Sequence, residues 1–279
     1  MTRLSFARLR LRSLVFDHLN KASYHSPFLE PLQFDYHVSS NHLECLHENG
    51  RKLYEIELID GPPVGGLAIA ELVTPKTGNE RVVDLGTGTG IIAIAMAAKG
   101  CDSVFAVDTS QRECELAARN VRRNHKEDAI NVLRGDLASS FTSTTVDIMI
   151  SNPPQLPTDA AKPDTRNFAG PTGYEVIDNI MSQSKACLTP TGELWLYVLG
   201  FLGIEKSTGS LAPLFERLRI FGFHPHVARR LSRKYSQDYN VQQALPLIQE
   251  FYPKSDIARN YPRAGYYEAF VVRASLLAS

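Results

Sequence analysis

The chain has 279 residues, 43% of them hydrophobic and 22% charged, and its 30 Lys and Arg balance 30 Asp and Glu. That length suits one large domain, or one domain with a smaller appendage. It buries a core without disulfide or metal staples, and the composition excludes wholesale disorder and collagen-like repeats. Zero net charge gives no global attraction to nucleic acid, and the longest apolar stretch, Ile91 to Ala98, is far too short to span a bilayer.

The four cysteines, Cys45, Cys101, Cys114 and Cys187, form no C-x-x-C pair and their spacing suits no zinc site. Reduced thiols in a reducing compartment are expected. There is no H-E-x-x-H pattern, and His224 and His226 flank Pro225, which suits a turn or strand edge better than a helical metal face. No metal is expected. No apolar stretch near the start leads into a small-residue cleavage site, so a cytoplasmic location is expected.

In chain order, Arg3, Arg8, Arg10 and Arg12 come first, with no acid among the first sixteen residues. Leu4, Ala7, Leu11, Leu14 and Val15 share one helical face. Arg-rich, acid-poor starts occur in organelle transit peptides, but Ser is sparse here, which favours a mature helix with a solvated basic face. Residues 20–50 read as irregular, with Tyr24, Phe28, Phe34 and Tyr36 among prolines. Residues 53–59 alternate in the manner of a half-buried strand. Asp60 to Pro63 is a break, Leu67 to Val73 a short helix and Thr74 to Asn79 a loop.

From Arg81 the pattern becomes rhythmic. Strands are expected at 82–85, 103–108, 130–133, 146–150 and 193–199. Helices are expected at 91–99, 111–124 and 173–187. Strands alternating with helices imply parallel pairing through right-handed crossovers. The fold class is therefore α/β, a doubly wound, mostly parallel seven-stranded Rossmann-like sheet, with ligands at the carboxyl ends of its strands. A helix over 209–221 follows, then closing strands at 226–231 and 266–273. The long insertion at about 232–265 carries Tyr235, Tyr239, Phe251, Tyr252, Tyr261 and Arg263 and reads as a lid or binding loop. Residues 1–60 form an N-terminal recognition or cap region, and 61–279 the main domain.

The turn Asp84-Leu-Gly86-Thr87-Gly88-Thr-Gly90 follows a strand and opens a helix. Glycine admits positive φ and close approach to a ligand, and the helix behind it presents free N–H groups. The dinucleotide register G-x-G-x-x-G fails, because its third glycine falls on Ile91, and no G-K-[ST] follows to make a P-loop. Asp108 ends the second strand of the series, where a carboxylate can accept ribose hydroxyls. Asp136 ends the third, followed by Leu137.

This spacing resembles motif I of the class I S-adenosylmethionine (SAM) methyltransferases. The resemblance implies SAM as cofactor and S-adenosylhomocysteine as product. It implies Asp84, Gly86, Thr87, Gly88, Gly90, Asp108, Asp136 and Leu137 as cofactor-binding residues, with Asn152 beside them. Asp136 would meet the adenine amino group and Leu137 would pack on the ring. The Gly61-to-Val73 segment is expected to cover the cofactor.

Directly after the fourth strand of the series stands Ser151-Asn152-Pro153-Pro154-Gln155. This resembles the [N/D]-P-P-[Y/F/W] signature of N-methyltransferases. That group includes the release-factor and ribosomal-protein glutamine N5-methyltransferases and the adenine-N6 and guanine-N2 nucleic-acid methyltransferases. The resemblance implies a catalytic set of Asn152, Pro153, Pro154 and Gln155. The Asn152 side-chain oxygen and the Pro153 carbonyl would accept the N–H groups of a planar nitrogen, held at about 3 Å from the methyl group. The prolines stiffen the loop so that those acceptors stay aimed. Gln155 departs from the family aromatic. It offers no π face, which counts against a flipped base and suits an amide or small polar acceptor. Ala169-Gly-Pro-Thr-Gly-Tyr174 resembles the G-x-D-G-[LY] element of the glutamine N5 group, with Thr172 in place of the Asp.

The expected partners are thus a protein or small-molecule acceptor and no membrane. Nucleic acid is less favoured, although Arg217, Arg219, Arg229, Arg230, Arg233 and Lys234 form an acid-free run. A nucleic-acid base methyltransferase and a non-catalytic SAM-binding regulator are the competing readings.

Overall fold

The computed structural model describes residues 34–39, 41–47, 50–59, 63–141, 144–158, 169–234, 239–261 and 265–277. The Arg-rich helix expected at the start and most of the 156–168 loop lie outside these residues.

Seven strands form the main sheet. They are β4 (Arg81–Leu85), β5 (Ser103–Asp108), β6 (Ile130–Arg134), β7 (Val146–Ser151), β8 (Leu188–Leu199), β9 (Phe223–Lys234) and β10 (Tyr266–Leu276). The order is β6-β5-β4-β7-β8-β10-β9. The first five run parallel, and β10 is antiparallel to both β8 and β9. Val82, Val83 and Leu85 of the central β4 are fully buried, because helices cover both faces of the sheet. That is why the strand reads as a continuous apolar run instead of alternating.

The crossovers α2 (Ile91–Ala98) and α3 (Gln111–Arg123) differ in pattern for the same reason. Residues Ile91 to Ala97 are all buried, whereas α3 buries Cys114, Leu116, Ala117, Asn120 and Val121 and exposes its charged face. Ser110 caps α3 by accepting the Glu113 N–H at 3.4 Å, and Arg122 and Arg123 stand in its last turn, where cations suit the helix dipole.

The expected doubly wound sheet is present, and several boundaries differ. The region read as irregular contains two strands. With residues 52–57 they make an antiparallel sheet of β1 (Asp35–Val38), β2 (His42–Leu46) and β3 (Lys52–Glu57). Helix α1 (Val64–Leu72) starts three residues earlier than the apolar pattern indicates, because Gly65 and Gly66 let its first turn pack closely on Ile91 and Tyr197. Strand β8 begins at Leu188, straight after α4 (Glu175–Cys187), through Pro190 and Gly192. A register shift against β7 accommodates that start. Helix α5 (Leu214–Ile220) starts only after Pro213, at its N-cap. Strand β9 extends beyond its expected limits at both ends and β10 at its far end, so the insertion runs over 235–265; its described residues hold α6 (Tyr239–Phe251) and α7 (Asp256–Asn260), and Tyr235 and Arg263 lie outside the described residues.

The insertion has its own core contacts. Val241, Ile248, Tyr252 and Ile257 are buried, and the Tyr252 ring stands edge-on to Phe201 at 5.3 Å. The Tyr252 hydroxyl donates to the Thr172 carbonyl at 2.5 Å.

Candidate functional site

A cavity of about 920 Å³ opens at the carboxyl ends of β4, β5, β6, β7 and β8. The glycine turn forms its floor. Gly86, Gly88 and Gly90 have φ of 72°, 52° and 81°, the left-handed region that glycine tolerates. Gly90 also abuts Ala117 of α3, where a Cβ would come within 3.3 Å. The N–H groups of Gly86 and Thr87 both donate to the Val107 carbonyl at 2.9 Å, which folds the turn back onto β5.

Asp84 is wholly buried beneath this turn. Its Oδ2 accepts the Thr87 hydroxyl at 2.6 Å and the Ala93 N–H at 3.2 Å, while Oδ1 has no partner among the described residues. Burial pushes the carboxyl up to about 7, against those two hydrogen bonds, which favour the charged form. Thr89 Oγ1 is likewise buried and unpartnered among the described residues. Asp108 accepts the Gly88 N–H at 3.0 Å and the Ser110 N–H at 3.0 Å, so it ties the turn to the start of α3 and still borders the cavity. Asp136 and Leu137 line the same side, and Leu137 holds φ at 50°, a strained value for a leucine.

All the cofactor residues expected from the sequence line the cavity except Asp84 and Gly90, which support it from beneath and behind. Open space faces Gly86 and Gly88 where side chains would project. That cradle and the orphaned Asp84 oxygen fit a bound ligand carrying hydroxyls and positive charge, as SAM does.

The Asn-Pro-Pro-Gln loop forms the next wall. Ser151 Oγ donates to the Leu85 carbonyl at 2.8 Å, which joins the ends of β7 and β4. The Asn152 side chain is half-buried and makes no hydrogen bond among the described residues. Gly65 lies against it, because a Cβ there would fall 2.4 Å from Asn152 Oδ1 and 2.6 Å from Tyr197 Cδ1. Gln155 is buried and turned inward. Its Nε2 donates to the carbonyls of Pro153 at 3.2 Å and Tyr197 at 3.1 Å, and its Oε1 accepts the Leu199 N–H at 2.6 Å.

The Gly-Pro-Thr-Gly turn braces this loop from behind. Gly173 has φ of 84°, and a Cβ there would come within 2.4 Å of the Gln155 carbonyl. Thr172 supplies both its N–H and its hydroxyl to Glu175 Oε1, at 3.2 and 3.0 Å.

Sequence reasoning missed several cavity residues. Val176, Asn179 and Tyr197 line it from elements distant in sequence, and none carries a motif, whereas Val64 and Gly65 belong to the 61–73 segment expected to cover the cofactor and Asn240 to the insertion expected as a lid or binding loop. The acid-free basic run is largely engaged within the protein. Arg217 pairs with Asp178 at 2.6 Å and lies over the Tyr174 ring at 4.0 Å. Arg229 pairs with the buried Glu71 at 3.2 Å, Arg230 with Glu268 at 3.3 Å, and Arg233 donates to the Tyr197 hydroxyl at 3.4 Å.

All four cysteines are buried free thiols. Burial pushes Cys45 and Cys101 up to about 11. Among the described residues, no group of three or more His, Cys, Asp and Glu is placed to hold a metal ion, and no helix is long and apolar enough to cross a membrane.

Comparison with known proteins agrees with this geometry. Residues 65–223 match the family described as the methyltransferase small domain. The chain is 33% identical over 148 residues to the ribosomal protein uL3 glutamine methyltransferase of Bradyrhizobium diazoefficiens, covering 50% of this chain and 46% of that protein. It is 32% identical over 171 residues to the release factor glutamine methyltransferase of Shewanella oneidensis, covering 57% of each. A tRNA1(Val) (adenine(37)-N6)-methyltransferase of Tolumonas auensis is 32% identical over 126 residues, covering 44% of this chain and 53% of that protein. The chain thus spans about half the length of these relatives. The fold is shared with the YcgJ protein of Bacillus subtilis, with a TM-score of 0.51 at 14% identity, covering 77% of this chain and 98% of that one. On the match over residues 65–223 and the sheet that carries it, this chain belongs to the methyltransferase small domain family.

Proposed function

We propose that the chain methylates the side-chain amide nitrogen of a glutamine in a protein, held by the Asn152-Pro153-Pro154-Gln155 loop. The observation that carries this reading is the Asn152 carboxamide. It borders the cavity and has no hydrogen bond among the described residues, in a loop fixed from behind by Gln155 and Gly173.

In this reading the glycine turn of Gly86, Thr87, Gly88 and Gly90, supported by Asp84, cradles SAM. Asp108 accepts ribose hydroxyls, and Asp136 and Leu137 hold the adenine. Bound SAM supplies a methyl group attached to a positively charged sulfur. Asn152 Oδ1 and the second lone pair of the Pro153 carbonyl accept the two N–H groups of the acceptor amide. They fix its plane and aim its nitrogen, and that placement supplies much of the acceleration. Both hydrogen bonds strengthen as the nitrogen gains positive character, so they favour the transition state over the ground state. The carboxylates lining the cavity, Asp108, Glu113 and Asp136, belong to β5, α3 and the turn after β6. None lies on the Asn-Pro-Pro loop, and none is needed as a base before transfer, because the proton becomes acidic once the nitrogen is alkylated.

The relatives named as glutamine methyltransferases support a protein acceptor, and the inward Gln155 disfavours a stacked base. The adenine-N6 relative keeps tRNA as the competing acceptor. The test uses radiolabelled SAM with three acceptors: a heptapeptide pool with Gln fixed at its centre, the same pool with Asn, and total tRNA. The expected result is label in the Gln pool, recovered as N5-methylglutamine. Label in tRNA alone would overturn the protein reading, and so would label in none with SAM bound, which leaves a small-molecule acceptor or a regulator.

A further inference from the structure

The residue that stands where the resembled signature has an aromatic borders the cavity but is buried, with its carboxamide bonded to backbone. We propose that Gln155 is a positioning residue, whose carboxamide aims the Pro153 carbonyl by locking the Asn-Pro-Pro loop to the end of β8. The inference rests on the proposed role of that loop and assigns Gln155 a function within it.

The geometry is specific. A glutamine amide has two donor hydrogens and one acceptor oxygen. Here Nε2 donates to the Pro153 and Tyr197 carbonyls, and Oε1 accepts the Leu199 N–H at 2.6 Å. Tyr197 and Leu199 belong to the carboxyl end of β8, 42 and 44 residues further along the chain. Both hydrogens and the oxygen are thus spent on backbone, and the residue is 5% exposed. The bond within the loop, to Pro153, fixes the direction of the carbonyl proposed to accept an acceptor N–H. The two bonds to β8 fix the loop as a body. Gly173 closes the other side, since a Cβ there would strike the Gln155 carbonyl.

An aromatic side chain at this position would make none of these bonds. A carboxylate would accept from Leu199 but would set an oxygen against two carbonyl oxygens. The loop is therefore held by a three-way amide link in place of an aromatic packing contact. The acceptor side of the cavity consequently has no aromatic from position 155, and recognition there relies on hydrogen bonding to Asn152 and Pro153.

The test compares wild type with Gln155→Met and Gln155→Glu. Methionine keeps the volume and removes every hydrogen bond. Glutamate keeps the acceptor and loses the donors. Rates are taken with whichever acceptor pool the wild type labels, alongside S-adenosylhomocysteine affinity, melting temperature and amide hydrogen exchange at Leu199. A displaced loop should lower kcat roughly ten- to hundred-fold in both variants. Cofactor affinity should stay within about threefold, because Gln155 is not assigned to the cofactor cradle. Leu199 should lose protection in Gln155→Met and keep much of it in Gln155→Glu.

Unchanged kcat in Gln155→Met would overturn the proposal. So would a loss matched by lost cofactor affinity, or by a folded fraction reduced in proportion. If the wild type labels no pool, the acceptor reading fails separately. Leu199 exchange then decides on the lock: retained protection in Gln155→Met refutes it, and lost protection supports it.

Discussion

At the residue scale, Asp84 has the most testable electrostatics. Its carboxyl is raised to about 7 by burial, above the ordinary 3.8 of an aspartate. The folded state therefore binds this proton more tightly than the unfolded state does. Its contribution to the stability of the ligand-free protein is present below pH 4 and is lost as pH rises from about 4 to 7. A cationic ligand in the cavity favours the carboxylate instead. SAM affinity is expected to strengthen as pH rises from 6 to 8, and this dependence should vanish in Asp84→Asn. Calorimetric titration at several pH values checks both, and a flat wild-type profile would contradict the assignment. The acids and glycines of the first motif were legible in the sequence because each stands at a strand end, where the fold rule places ligands. Gln155 was legible only as a departure from the family pattern. Its inward orientation was not, because its bonding partners on β8 lie more than forty residues away.

At the element scale, the N-terminal sheet is joined to the site by two asparagines one helical turn apart. Asn120 accepts the Glu57 N–H at 2.7 Å and donates to the Glu57 carbonyl at 3.1 Å. Asn124 does the same at Glu55, at 2.9 and 2.7 Å. Helix α3 thereby pairs with β3 as a neighbouring strand would. Asn120 Nδ2 also donates to the Thr89 carbonyl in the glycine turn, at 2.8 Å. Asn120→Ala leaves three backbone groups without that partner. It should cost on the order of 3 kcal/mol in urea unfolding and weaken S-adenosylhomocysteine binding. A loss below about 0.5 kcal/mol would refute this coupling. The main sheet was readable because its strands are buried runs set between helical periods. Strands β1 and β2 were not, at four and five residues each and bounded by polar turns. Alternation in His42-Leu-Glu-Cys-Leu46 was the available signal, with Leu43 and Cys45 facing the core. Helix α6 was hidden by Pro246, which breaks the pattern inside it.

At the scale of the molecule, the polar links run inward. Glu71 on α1 accepts from Phe34 N–H, Tyr36 hydroxyl and Arg229, which binds the N-terminal sheet, α1 and β9 at one buried carboxylate. Lys99 closes α1 by donating to the carbonyls of Ala70, Glu71 and Val73, and burial pulls its ammonium down to about 8. Arg273 of β10 grips Glu193 in the middle of β8, where Trp195 donates as well. Arg217 and Arg229 of the acid-free basic run are drawn into this internal network, and one cavity at the strand ends is lined by residues of both motifs. The measurement that tests the account most directly compares wild type with Asn152→Ala. It follows N5-methylglutamine formation in the Gln-centred peptide pool and S-adenosylhomocysteine affinity on the same preparations. The wild type is expected to form the product and Asn152→Ala to lose at least about a hundredfold in rate, with cofactor affinity within about tenfold. Equal rates in the two proteins would contradict this.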